Sequence, residues 1–254
     1  MAVDLELGPR RSTSCPFVIE RPAMTQRWET LTFLHWRYDV AVVQDLLPPG
    51  IVVDAHEGAA WVGLVLFHLR IGPGRHGSVP WVSRFAEVNV RTYVRDAPGR
   101  CGIWFLSLDA ARLGAVALAR LRWRLPYFWS DVQLDQAGSR RTYECRRRWP
   151  ASPGVASRVT IEVGRPLNPH ELTGLDQFLT ARWIFFIRDG RRRKLVRAWH
   201  EPWTLNAAAT IEWDDRLCLA AGLPRPQGEP LVRYSPGVEA RIGRREPADE
   251  FGAG

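Results

Sequence analysis

Glu87, Asn89, Arg91 and Tyr93 occupy alternate positions in Glu87-Val88-Asn89-Val90-Arg91-Thr92-Tyr93-Val94. Side chains two apart on a β-strand share a face, so these four polar groups stand together while Val88, Val90, Thr92 and Val94 face the other way. A solvent-facing strand of an antiparallel sheet carries the same alternation. The functional alternative is a polar cavity. There Arg91 clamps a carboxylate, Asn89 and Tyr93 contribute further ligand contacts, and Glu87 holds the arginine or moves a proton. Ser107, on the run that returns after Arg95-Asp96-Ala97-Pro98-Gly99, joins the ligand-binding set. Asp109 reads as a helix cap in preference to a catalytic carboxylate.

Two histidines add candidates for proton transfer. His35 lies in Leu34-His35-Trp36-Arg37 and His200 in Trp199-His200-Glu201-Pro202-Trp203, aromatic settings in which burial shifts titration. The alternative for each is a packed histidine bonded to backbone. His56, His68, His76 and His170 show no metal-ligand spacing, and Cys15, Cys101, Cys145 and Cys218 lie far apart without a C-x-x-C pair. No metal site and no disulfide scaffold is expected. Nucleotide loops, the G-x-S-x-G elbow and the H-E-x-x-H helix are absent from the sequence, so no cofactor is expected.

Lys194 is the single lysine, against 34 arginines, so amine chemistry would fall to it or to the chain terminus. Beside an Asp-Gly turn it reads as a solvated side chain. The runs Arg146-Arg147-Arg148 and Arg191-Arg192-Arg193-Lys194 would supply phosphate contacts on a nucleic acid. Strand arginines alternate between faces, however, and no nucleic-acid motif accompanies them. Nucleic acid is therefore not the expected partner.

The elements that must position these groups are mostly strands. With 254 residues, 46% hydrophobic and 24% charged, and a formal charge of +8, the chain has the composition of a globular protein with a sizeable core. Its longest apolar stretch, Ala59 to Phe67, is too short to span a bilayer, and the first residues lack an apolar signal region, so a cytoplasmic location is expected. Strand-like runs cover Ala60–Ile71, Glu87–Val94, Cys101–Leu108, Asp131–Asp135, Arg140–Trp149 and Val155–Val163. Trp183–Arg188 and Arg191–Trp199 form a hairpin across Asp189-Gly190. Helices are expected from Asp39 to Leu47, from Asp109 through about Arg124, and from His170 to about Ala181. The second should pack through Leu113, Val116, Ala117, Arg120 and Leu121. The class is α+β, a curved antiparallel sheet or barrel with peripheral helices. One domain is expected over 21–243, with a loose arm at 1–20 and a tail at 244–254.

Several ordered segments carry a family resemblance: Arg27-Trp28, Leu31-Thr32-Phe33-Leu34-His35-Trp36, Leu46-Leu47-Pro48-Pro49-Gly50, Ala60-Trp61-Val62-Gly63 and Glu87 to Val94. Leu125-Pro126-Tyr127-Phe128, Phe178-Leu179-Thr180-Ala181-Arg182, His200-Glu201-Pro202-Trp203 and Tyr234-Ser235-Pro236-Gly237 continue it. Over about residues 20 to 240 the chain resembles the YqjF-like bacterial proteins of unknown function, which are similar to the acetoacetate decarboxylase-like superfamily. The resemblance implies a curved antiparallel barrel around an internal pocket and favours the pocket reading of Glu87 to Tyr93. Those decarboxylases use adjacent lysines, where this sequence places Ala111 and Arg112. The expected function is therefore binding of a small organic acid or carbonyl compound without a Schiff-base lysine. Any lyase, isomerase or hydrolase activity would be of a type that needs no such amine. The alternative is a non-catalytic ligand-sensing or interaction module, including an arginine-rich surface for an acidic partner. The oligomeric state is left open.

Overall fold

The computed structural model describes residues 14–72, 84–150, 154–189 and 192–248. Among these residues twelve strands make one mixed sheet. In chain order they are β1 (Met24–Tyr38), β2 (Ile51–Val53), β3 (Ala60–Ile71), β4 (Arg84–Asp96), β5 (Cys101–Ala110), β6 (Tyr127–Ala137), β7 (Arg140–Trp149), β8 (Ala156–Pro166), β9 (Ile184–Asp189), β10 (Arg192–His200), β11 (Asn206–Asp215) and β12 (Leu231–Pro247). Among the same residues four short helices lie between the strands: α1 (Val40–Gln44), α2 (Leu113–Trp123), α3 (Gly174–Thr180) and α4 (Leu217–Ala220).

The sheet closes on itself twice. Pairings β12–β1–β3–β4–β5–β9–β10 return to β12 and complete a ring of seven strands. A second circuit leaves β5 through β6, β7, β8 and β11 and rejoins β12. The expected class holds, with one correction: β5 pairs in parallel with both β6 and β9, so the sheet is mixed and the closure is not that of a simple antiparallel barrel.

Strands β12, β1, β3, β4 and β5 are thus a wall shared by two interiors, which explains their composition. A strand covered on both faces reads as a near-continuous buried run, and β3 and β4 are buried over almost their whole length. On one face of the wall Leu34, Leu64, Val88 and Val90 pack against Val132, Tyr143, Val159 and Ile161 of the second circuit. On the other face Leu31, Phe33, Val65, Phe67 and Phe85 meet Ala115 and Val116 of α2. The solvent-facing reading of Glu87 to Tyr93 is therefore excluded, since all four side chains are buried.

Four boundaries differ from expectation. Asp109 and Ala110 finish β5, and α2 begins at Leu113 behind Arg112, so Asp109 is not its cap. That helix buries Ala115 and Val116 and leaves Leu113 and Leu121 exposed, so the wider stripe does not pack as expected. The third helix splits into a 3-10 turn at Pro169–Glu171 and α3, because Thr173 starts a new capping box with Asp176. Strand β12 runs to Pro247, which pairs with Lys194, beyond the tail boundary placed at 244. Asp39 caps α1 as expected through the Ala41 amide, and α1 ends at Gln44, short of Leu47. In the hairpin, Asp189 pairs with Arg192, while Gly190 and Arg191 of the turn lie outside the described residues, as does His76. Among the described residues, no helix is long and apolar enough to cross a membrane.

Candidate ligand-binding cavity

Inside the seven-strand ring lies a cavity of about 200 Å³. Glu87, Asn89 and Arg91 project into it from successive inward positions of β4, and His200 lines it from the end of β10. Tyr93 ends the same face. It is fully buried and packs with Trp61, Ile103 and Phe178 beneath the arginine.

The geometry around Arg91 fixes a direction for its hydrogen bonds. Arg91 Nη2 donates to the Tyr93 hydroxyl at 3.3 Å and to the Leu179 carbonyl at 3.5 Å. With its oxygen accepting from a cation that has no acceptor site, Tyr93 donates its own proton to His35 Nε2 at 2.6 Å. His35 is then neutral with its proton on Nδ1. Burial, reinforced by the charges of Arg91 and Arg233, holds it well below the usual imidazole range. His35 therefore supports the arginine through Tyr93 and is not among the cavity-lining residues, which corrects its assignment to proton transfer. The guanidinium also lies 5.6 Å from the centroid of Phe33 and 5.7 Å from that of Tyr93. Its Nε is buried without a partner, and among the described residues no carboxylate forms a salt bridge with it.

The expectation that Glu87 holds Arg91 is not met. Four residues of extended chain separate their Cα atoms by about 13 Å, and Glu87 instead accepts from the Tyr127 hydroxyl at 2.9 Å. Burial pushes the Glu87 carboxyl up to about 8, with Asp109 adding to the rise and bonds from Tyr127 and Asn89 opposing it. At neutral pH it is a proton donor. His200 is the complement. Its Nδ1 lies 2.6 Å from the Glu201 carbonyl, which only accepts, so Nδ1 carries the proton and Nε2 the lone pair. Burial lowers its pKa to about 4, opposed by that carbonyl and aided by Arg91. Trp28, Trp183 and Trp203 surround the ring.

Ser107 is placed on the wrong side for its expected role. A bulge between Val90 and Arg91 sets Ser107 opposite Val90 and Phe105 opposite Arg91, so Leu106 is the extra residue. Directly opposed residues share a face, and Ser107 therefore points with Val90 away from the cavity. Asp109, opposite Val88, points the same way and forms a buried pair with Arg147.

Sequence reasoning missed Tyr127 and Arg182, although both stand in segments that carry the family resemblance. Arg182 lines the cavity, bonds Asp54 at 2.7 Å and lies over the rings of Tyr93 and Phe178. Among the described residues no lysine lines the cavity. Lys194 Nζ is 2.6 Å from Asp189 on the outer hairpin. Arg112, beside Ala111, is exposed ahead of α2. The basic runs are divided by strand alternation: Arg147 and Arg193 are buried, and exposed Arg148 pairs with Asp131.

Gly63 explains how close the support can come. A Cβ there would sit 2.9 Å from His35 Nε2 and 3.5 Å from Arg91 Cγ. Gly63→Ala is expected to push the His35 ring off Tyr93 and cost about 1–3 kcal/mol, read as a lower urea midpoint at unchanged slope.

Residues 25–239 match the family DUF2071, described as an uncharacterized conserved protein. The chain belongs to that family. It is 31% identical over 214 residues to the uncharacterized protein YqjF of Bacillus subtilis (strain 168), covering 84% of this chain and 87% of that one. Among solved structures it is similar to acetoacetate decarboxylase from Legionella pneumophila, with a TM-score of 0.62, 14% identity and coverage of 96% and 95%. It is also similar to the enduracididine biosynthesis enzyme MppR complexed with pyruvate, with a TM-score of 0.61, 13% identity and coverage of 96% and 100%. An acetoacetate decarboxylase-like enzyme from Sphingomonas wittichii RW1 gives a TM-score of 0.61 at 14% identity, covering 94% and 100%. At these identities the structural matches establish the acetoacetate decarboxylase-like fold, which this DUF2071 chain shares.

Proposed function

We propose that the chain binds a small organic acid or carbonyl compound inside the ring, with the acidic or carbonyl oxygen on Arg91. The observation that carries this reading is a buried guanidinium facing a cavity with, among the described residues, no carboxylate paired with it. A buried cation is costly unless paired, and an anionic ligand supplies the missing partner in bidentate form. Asn89 offers a further polar contact, its Oδ1 being buried without a partner. Glu87 is the proton donor and His200 Nε2 the acceptor for any rearrangement of the ligand. The absence of a lining lysine supports chemistry, or simple binding, that forms no Schiff base. The neighbour complexed with pyruvate supports a small acid as a ligand for this fold. The reading includes a cytoplasmic setting, which four cysteines outside any disulfide suit.

The test is thermal stabilisation by pyruvate and acetate. Ligand at a hundred times its Kd is expected to add about 2.7 kcal/mol, and Arg91→Ala is expected to weaken binding at least tenfold. Stabilisation unchanged by Arg91→Ala would remove the clamp. Stabilisation only by nucleic acid, lost with added salt, would favour the arginine-rich surface instead.

A further inference from the structure

Strand β4 carries a gradient of polarity along its inward face. From Arg91 the inward positions run through Asn89 and Glu87 to Phe85, and the paired strand β3 adds Val65, Phe67 and Leu69 opposite Asn89, Glu87 and Phe85. The polar end is closed by α3, whose Leu179 carbonyl holds Arg91. The opposite end is mainly apolar: Met24, Ile71, Leu118 and Leu125 line it together with Gln26, whose Oε1 accepts from Trp28 Nε1 at 2.8 Å, and Leu118 of α2 is also 57% exposed. Among the described residues the cavity therefore opens beside α2, at the end remote from its cation.

We infer that the ligand is an amphiphilic carboxylate, its head on Arg91 and a phenyl ring or a chain of about six to eight carbons directed toward α2. The inference rests on the anion site proposed above and narrows it. Acetate or pyruvate would fill the Arg91 end alone and leave Phe67, Leu69, Phe85 and Leu118 facing empty space. An apolar cavity of about 150 Å³ holds a benzene molecule, so the 200 Å³ here accommodates a ring with a short acidic arm. Neutral Glu87, midway along the gradient, does not repel the carboxylate as it passes inward.

Calorimetry with acetate, butanoate, hexanoate, octanoate and phenylacetate tests the inference on the full chain. Affinity is expected to rise about fourfold per buried methylene and to level off near the chain length that reaches α2. Ala119→Trp, on the lining face of α2, is expected to reduce the octanoate-to-acetate affinity ratio at least tenfold. Leu118→Asp, at an exposed position that keeps the fold, should lower the same ratio and serves if the tryptophan variant misfolds. A flat series in which Arg91→Ala still abolishes binding would overturn the amphiphilic ligand and leave the anion site standing. A rising series indifferent to Arg91→Ala would overturn the anion site, and with it the orientation argued here. No binding by any of the acids would overturn both.

Discussion

Asp109→Ala is expected to destabilise the fold by about 3–5 kcal/mol, the cost of leaving a buried charge without its partner. Both oxygens of Asp109 are engaged: Arg147 Nε and Nη2 donate at 2.8 and 2.7 Å, and Ser130 Oγ donates at 2.7 Å. Neither charged side chain is more than 2% exposed, and the guanidinium carbon lies 3.5 Å from the centroid of Phe128. The position matters because β5 and β6 share only three registered pairs, from Leu108–Tyr127 to Ala110–Trp129. Asp109 and Arg147 bind β5 to β7 across that short parallel contact and so help close the second circuit. Urea unfolding should show the loss as a fall in midpoint with unchanged slope. The double variant Asp109→Leu with Arg147→Met should recover most of it, since neither charge is then stranded. A single-variant loss under 1 kcal/mol would show that the pair does not hold this junction.

That pair also shows where the sequence was legible and where it was not. Ala60–Ile71 and Arg140–Trp149 match their observed strands because runs of apolar or alternating residues are local signals. The polar face of β4 was readable for the same reason, and the ring then placed it inward. Asp109 was misread because a carboxylate ahead of an Ala- and Leu-rich stretch looks like a cap, whereas the strand continues two residues further to serve a partner 38 positions away. Arg147 sits in the middle of three arginines, and composition cannot distinguish the buried one from its exposed neighbours. Ser107 was lost to a single bulged residue, which reverses every side chain beyond it. Strand β12 contains Pro236-Gly237, a pair that ordinarily punctuates a turn and leaves no local strand signal. The pairing instead runs past it, with Thr30 at φ +56° opposite and Gly237 at φ +136° admitting the carbonyl of Trp28 where a Cβ would stand.

Glu87→Gln should have the second large effect, seen in how stability depends on pH. The folded carboxyl titrates near 8 and an ordinary one at 4.5, so the folded state binds the additional proton between those values. Stability contributed by neutral Glu87 is thus fully present below about 4.5 and is lost as pH rises toward 8, on the order of 4–5 kcal/mol in all. His200 acts in the opposite sense: with a folded value near 4 against 6.5, it loses stability as pH falls from 6.5 to 4. His35, also lowered, adds to that slope. Below 6.5 the carboxyl and the histidines oppose one another, so the clean window is pH 6.5 to 8. There the wild-type chain should lose about 2 kcal/mol that Glu87→Gln retains. Glutamine keeps an oxygen to accept from Tyr127 and carries no charge to bury, so it reproduces the neutral acid at every pH. Parallel stability curves for the two proteins across that window would mean that Glu87 is ionised at neutral pH. It would then serve the cavity as a fixed negative charge, one that opposes the binding of any acid at Arg91.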